Sequence, residues 1–212
     1  MAAAIAFEEG GVRGLLHQAE APGGPGLVLT HGAGGNCQMP LLVAAAEAFA
    51  AAGVTVLRYD LPFRQRRPTG PPSPSGAAAD RAGLREAVAA MRRVVTRPVF
   101  VGGQSYGGRQ ATMLAADEPS VAEALLLFSY PLHPPGKPER LRTEHFLRLS
   151  VPALFVSGTA DPFGSPDELR KAVSLIPSRT SIITVYGAGH DLKRGRFDLT
   201  AVTAAMAALI ER

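Results

Sequence analysis

Cysteine is almost missing from this chain: Cys37 is the single one among 212 residues. One thiol excludes an internal disulfide framework and a zinc site built from cysteines, and it suits a reducing compartment. Long apolar runs are missing too. The longest near the start covers residues 2–7, far short of the roughly 18 residues that a membrane span needs. No basic segment followed by a long apolar stretch opens the chain. A cytoplasmic protein with no secretory signal and no membrane contact is therefore expected.

Acidic charge is slightly short of basic, with 18 Asp and Glu against 22 Lys and Arg, for a net charge of +4. The excess lies in short clusters: Arg64, Arg66 and Arg67; Arg92 and Arg93; Lys193, Arg194 and Arg196. Nucleic-acid binders concentrate basic charge and interleave it with aromatics. These clusters do neither, so they are read as solvated surface with no nucleic-acid partner. Arg64, Arg66 and Arg67 follow a strand end, and a second reading has them meet an anionic substrate. Nucleotide-binding signatures are also absent. There is no G-x-x-x-x-G-K-[ST], and no spaced G-x-G-x-x-G with a following acid. Neither cofactor nor metal is implied.

Apolar residues are plentiful, at 46%, enough for one core in one domain spanning residues 1–212. The most linker-like stretch, residues 68–79, is rich in Pro, Ser and Gly, and its length suits a surface loop. Strand-like runs fall at residues 4–7, 12–17, 26–30, 54–59, 98–102, 124–130, 151–157 and 181–186. Helix-like runs fall at residues 40–52, 80–95, 106–116, 166–175 and 198–210. The first two strands suit a leading hairpin. The remainder alternate as βα units with apolar strands, which predicts a mostly parallel central sheet with helices on both faces. In such sheets ligands bind beyond the carboxyl ends of the strands, so the residues just after each strand are the ones that matter.

Gly103-Gln104-Ser105-Tyr106-Gly107 is a G-x-S-x-G. Alone the motif is common. Here an apolar strand leads in and a helix leads out, the setting of a nucleophile elbow. Side chains two residues either side of the serine would clash in that turn, and glycine at 103 and 107 avoids this. A serine hydroxyl needs a base to take its proton. Asp161 follows the strand at 151–157, and His190 follows the strand at 181–186, so the order is Ser, Asp, His. Asp60, after an earlier strand, is a rival orienting acid. Asp191 lies too close to His190 in sequence to serve. An oxyanion needs amide donors. The Tyr106 N–H is one, and the loop Thr30-His31-Gly32-Ala33-Gly34-Gly35 is expected to supply the other, from Ala33 first and Gly34 next. His31 is expected to shape that loop through hydrogen bonds. His31, Gln104, Phe63, Leu132, His133 and Phe163 sit beyond strand ends and are expected to contact substrate. Cys37 lies outside the elbow and is read as a small buried residue.

These segments together resemble the α/β-hydrolase superfamily, and more narrowly its small dienelactone-hydrolase-like members. The matching pieces are His31-Gly32-Ala33-Gly34-Gly35, Gly102 to Arg109 around the elbow, Tyr130-Pro131-Leu132-His133-Pro134-Pro135-Gly136, Gly158 to Gly164, and Ala188-Gly189-His190-Asp191-Leu192. The chain also resembles the testis-expressed hydrolase-like proteins and the hydrolase-like subunit of a eukaryotic histone acetyltransferase complex. The resemblance implies an α/β-hydrolase fold. Dienelactone hydrolase resembles an enzyme with a cysteine nucleophile, whereas the elbow here holds Ser105, so dienelactone substrates are not expected.

Large caps in this fold usually enter between the strands ending near 130 and starting near 151, as the resemblance implies. Residues 131–150 have room for a loop and one short helix, at 139–149. The site is therefore expected to be open, walled by residues 61–74 and 131–136. The function expected is hydrolysis of small carboxylic esters or thioesters with polar acyl groups. Ser105 would attack, His190 would move the proton, and Asp161 would orient it. The rival is a non-catalytic module of the same fold, serving binding or complex assembly. Monomer and homodimer both remain open.

Overall fold

A computed structural model describes residues 4–19, 23–193 and 198–211. Arg194 and Arg196 of the last basic cluster lie outside them. The chain opens with a hairpin of β1 (Ile5–Glu9) and β2 (Val12–His17). Gly10 and Gly11 both have positive φ, 57° and 84°, as the two-residue turn with the right twist requires. Then come β3 (Gly26–Thr30), α1 (Pro40–Ala51), β4 (Thr55–Tyr59), α2 (Pro62–Arg66), α3 (Ala77–Val94), β5 (Val99–Gln104) and α4 (Tyr106–Asp117). The chain ends with β6 (Leu125–Phe128), β7 (Ala153–Gly158), α5 (Pro166–Val173), β8 (Thr180–Val185) and α6 (Leu199–Ile210).

The strands form one sheet in the order β1-β2-β4-β3-β5-β6-β7-β8. β2 is antiparallel to β1 and β4, and every pairing from β4 to β8 is parallel. Side chains alternate across the sheet, and the two resulting faces carry separate apolar layers. Val28 faces the layer of Leu84 and Met91 on α3, Leu114 on α4 and Leu169 on α5. Its neighbours Leu27 and Leu29 face the layer of Leu42 and Phe49 on α1 and Met206 on α6. That double burial is why β3 is apolar almost throughout. The parallel strands all end at one edge, which brings the residues after β3, β5, β7 and β8 together. Among the described residues, no helix is long and apolar enough to cross a membrane.

Several local expectations are corrected. The helix expected at residues 139–149 reduces to one 3₁₀ turn, Phe146–Arg148. Both backbone groups of Arg142 are taken elsewhere. Its N–H donates to the Leu132 carbonyl at 2.8 Å, and its carbonyl accepts from the Tyr130 hydroxyl at 2.7 Å. Phe146 then packs on Tyr130 and on Phe155 of β7, with ring centroids 5.3 and 6.2 Å apart. This segment folds down against the sheet, and no large cap forms. α2 lies where only loop was expected. Pro62 starts it, and the Asp80 carboxylate, brought in by α3, accepts the Phe63 N–H at 3.0 Å. The Pro-rich stretch at 68–79 is loop at first, but residues 74–76 form a 3₁₀ turn and 77–79 already belong to α3.

His145 caps a buried polar knot beneath this edge. Its Nε2 lies 2.8 Å from the Thr112 hydroxyl. Burial, and then the nearby Arg109 guanidinium, push its pKa down to about 4. An unfolded histidine titrates near 6.5. Between those values the unfolded chain holds a proton that the folded chain refuses, so stability falls as pH drops through that window. His17 and His31 are lowered as well, chiefly by burial, and they add to the same trend. Melting temperature is expected to fall between pH 6.5 and pH 4, less steeply in His145→Gln than in the wild type. Parallel curves for the two proteins would contradict this assignment.

Candidate active site

Ser105 stands between β5 and α4 with φ 51° and ψ −115°, a left-handed conformation that costs a non-glycine residue about 1–3 kcal/mol. Two backbone bonds hold it there: the Ser105 N–H donates to the Phe128 carbonyl, and the Arg109 N–H donates to the Ser105 carbonyl, both at 2.9 Å. The turn is tight on both sides. A Cβ on Gly103 would lie 2.5 Å from the Thr30 carbonyl oxygen, and one on Gly107 would lie 2.6 Å from that of His31. Only glycine fits at either position.

The ends of β7 and β8 bring two more side chains to this serine. The Ser105 hydroxyl lies 2.8 Å from Nε2 of His190. Nδ1 of the same ring lies 2.9 and 2.8 Å from the two Asp161 carboxylate oxygens. A neutral imidazole that donates from Nδ1 to a carboxylate keeps Nε2 as an acceptor, so the serine hydroxyl donates to it. The Asp161 side chain is 1% exposed and that of His190 is 23% exposed. The carboxylate is therefore shielded while the imidazole stays reachable. Asp161 also accepts the Phe163 N–H at 2.9 Å. The Phe163 ring lies over the imidazole, with centroids 4.1 Å apart and planes at 31°. Gln104 donates from its side-chain amide to the His190 carbonyl at 3.3 Å.

A cleft of about 590 Å³ opens onto these groups. It is lined by the glycine-rich loop from Gly32 to Gly35, Met39, Gln104, Ser105, Pro162, Phe163, His190 and Asp191. Ala33 and Gly34 are thus at the cleft. Tyr106 is the first residue of α4, so its N–H has no acceptor within the helix. Its side chain points elsewhere, donating from the hydroxyl to Asp80 at 2.7 Å.

Four residues expected to meet substrate are not among those lining the cleft. His31 is fully buried behind the loop. Its Nε2 accepts the Leu61 N–H at 3.2 Å, which leaves the proton on Nδ1 for the Gly32 carbonyl at 2.8 Å. Phe63 is wedged edge-on between His31 and Tyr106, at 5.5 and 5.7 Å. Leu132 is core, and His133 lies beneath, its Nδ1 2.9 Å from the Pro134 carbonyl. Residues 61–74 and 131–136 consequently support the site without walling it. The walls are Met39 and Pro162, which sequence reasoning missed. Neither carries reactive chemistry; Pro162 adjoins Asp161 after β7, and Met39 stands just before α1.

Asp60 does not reach His190. Its carboxylate accepts the Cys37 N–H at 2.6 Å and lies 3.5 Å from Nε2 of His31. Asp191 is on the rim, accepting the Lys193 N–H at 3.1 Å. Burial and the Asp60 carboxylate push the Cys37 thiol up to about 12. Arg64 overturns the reading of its cluster as surface. It is 6% exposed, and its guanidinium donates to the carbonyls of Gly35 at 2.7 Å and of Ala33 and Gly70 at 3.0 Å. Arg66 and Arg67 are exposed. Among the described residues, no group of three or more His, Cys, Asp or Glu is placed to hold a metal.

The family model of the α/β hydrolase domain matches residues 24–211. Several solved structures share the fold. Dienelactone hydrolase from Anabaena variabilis is 20% identical, with a TM-score of 0.71 over 99% of this chain and 96% of its own. Est1E from Butyrivibrio proteoclasticus is 17% identical, with a TM-score of 0.75 over 100% of both chains, and it has also been solved with ferulic acid bound. A serine hydrolase without a lid from Xanthomonas campestris is 17% identical, with a TM-score of 0.71 over 99% of this chain and 94% of its own. At these identities the likeness is one of fold. The family match spans most of the chain, and the sheet, with no large cap among the described residues, agrees with it: the chain belongs to the α/β-hydrolase family.

Proposed function

We propose that the chain is a serine hydrolase of small carboxylic esters or thioesters. The observation that carries this reading is the unbroken hydrogen-bonded line from Ser105 through His190 to Asp161, at 2.8 Å for each ring nitrogen. The Ser105 oxygen attacks the substrate carbonyl carbon while Nε2 of His190 takes its proton. Asp161 keeps the ring in the required tautomer and stabilises the imidazolium. The N–H groups of Tyr106 and Ala33, with Gly34 beside it, receive the oxyanion. The intermediate collapses, the C–O or C–S bond breaks, and His190 protonates the departing alcohol or thiol. Water then adds to the acyl-serine with His190 as base, releasing the acid and restoring the hydroxyl.

The size of the cleft and the lack of a large cap among the described residues favour a short acyl group, since none of those residues covers a long chain from solvent. Met39, Pro162 and Phe163 offer apolar contact around it. Ferulic acid, bound to the structural neighbour Est1E, is a carboxylic acid, the class of product such a reaction yields. The partner in this reading is the small-molecule ester itself.

Turnover of short-chain nitrophenyl esters and acyl thioesters tests the proposal. Ser105→Ala is expected to lower kcat by about 10⁴-fold or more, and Asp161→Asn by about 10⁴-fold. A folded Ser105→Ala with wild-type turnover would contradict it. A wild type without turnover that copurifies in a stable complex would favour a binding module. Cys37 takes no part in this chemistry, because its thiol is buried and stays protonated. Iodoacetamide at pH 8 is expected to leave native Cys37 unmodified and turnover intact, and to label it once the chain is unfolded. Rapid native labelling with loss of turnover would contradict that.

A further inference from the structure

The buried arginine has no role in the steps above, yet it is tied to the loop they depend on. Arg64 is the third residue of α2, behind the glycine-rich loop and away from the cleft. Its Nη2 donates to the Ala33 carbonyl at 3.0 Å, and its Nε donates to the Gly35 carbonyl at 2.7 Å. Nη1 donates to the Arg67 carbonyl at 3.1 Å, the same Nη2 also donates to the Gly70 carbonyl at 3.0 Å, and the guanidinium lies over the Phe63 ring, 4.9 Å from its centroid. Every one of its hydrogen-bond acceptors is a neutral backbone carbonyl. A buried guanidinium that lost these acceptors would be left uncompensated at high cost, so the carbonyls that serve it are held facing it.

A trans peptide carries its C=O and N–H on opposite sides, and the described chain has no cis peptide bond. The peptide joining Ala33 to Gly34 has its carbonyl turned back onto Arg64, so its N–H, that of Gly34, is turned forward, toward the cleft. The preceding peptide is held by the same logic from a different donor. The Gly32 carbonyl accepts from Nδ1 of His31 at 2.8 Å and from the Gly35 N–H at 3.1 Å, which turns the Ala33 N–H forward as well. Two successive amides therefore present their hydrogens to the space beside Ser105. A cation bonded to the Ala33 carbonyl also polarises that peptide, which makes the Gly34 N–H a stronger donor.

From this geometry we infer that Arg64 is a positioning residue for the oxyanion donors: it fixes and polarises the amides of the Ala33–Gly34 loop from behind without touching substrate. The inference rests on the serine-hydrolase reading. It predicts a loss concentrated in the transition state, because a misdirected amide costs little until negative charge develops on the carbonyl oxygen.

The test compares Arg64→Met, Arg64→Lys and Arg66→Met with the wild type. Circular dichroism and melting temperature check the fold. The readouts are kcat and KM on a short-chain ester and the affinity for an alkyl boronic acid, which mimics the tetrahedral intermediate on serine. Arg64→Met is expected to lower kcat by about 10- to 100-fold with little change in KM, and boronate affinity is expected to fall in parallel. Arg64→Lys, which keeps a donor and the charge, is expected to lie between Arg64→Met and the wild type. Arg66→Met removes an equal charge from the exposed neighbour and is expected to behave as wild type. Should Arg64→Met fail to fold, Arg64→Lys against the wild type decides. Wild-type kcat and boronate affinity in a folded Arg64 variant would overturn the inference. A loss confined to KM would do the same. If the wild type itself shows no Ser105-dependent turnover, the serine-hydrolase reading falls and takes this one with it.

Discussion

The left-handed backbone of Ser105 is the constraint around which the rest of this site is arranged. A serine at φ 51° is held in an unfavourable conformation, and it stays there only because its surroundings leave no alternative. Its amide is bonded across to β6 and its carbonyl starts α4. The end of β3 comes so close to both flanks of the turn that residues 103 and 107 have no room for a Cβ. The turn lifts the hydroxyl above the sheet edge, which is where β7 and β8 deliver Asp161 and His190. β3, packed directly beside β5, delivers the glycine-rich loop on the other side. Were the turn to relax, the serine would leave the reach of both.

A second, less visible layer lies beneath that edge. Buried His31, Phe63, Arg64 and Asp80, with half-buried Tyr106, form a polar and aromatic support under the loop and the start of α4. Asp80 receives the Tyr106 hydroxyl and the Phe63 amide. Burial and the bond to Asp80 hold the Tyr106 phenol protonated. His31 and Arg64 hold loop carbonyls. The groups that would meet substrate as hydrogen-bond donors are thus main-chain amides, while side chains fix their direction from behind. A backbone donor held in this way needs little reorganisation when charge develops in front of it.

How much of this could be seen in the sequence depends on whether the cause was local. The strands β3, β5 and β7 are buried on both faces, and their apolar runs announce them. The meeting of Ser105, Asp161 and His190 was legible because parallel strands end at one edge, so polar residues after those runs gather there. α2 was missed because what caps it is Asp80, reached only through the fold. The helix expected at 139–149 failed because Tyr130 and Leu132 claim the backbone of Arg142, a competition invisible to local propensity. Arg64 looked like surface because it stands beside two arginines that are surface. Its burial follows from carbonyls of a loop some thirty positions earlier. His31, Phe63, Leu132 and His133 were placed after strand ends correctly, but chain position does not say whether a side chain faces the cleft or its foundations.

The central claim is that His190 and Asp161 activate Ser105 for covalent chemistry. Fluorophosphonate labelling of the native protein, with the adduct located by peptide mass spectrometry, tests it most directly. The account predicts a single adduct on Ser105, formed rapidly by the wild type and slowed severely in His190→Ala. A folded protein that takes no label, or takes it on another residue, would contradict it.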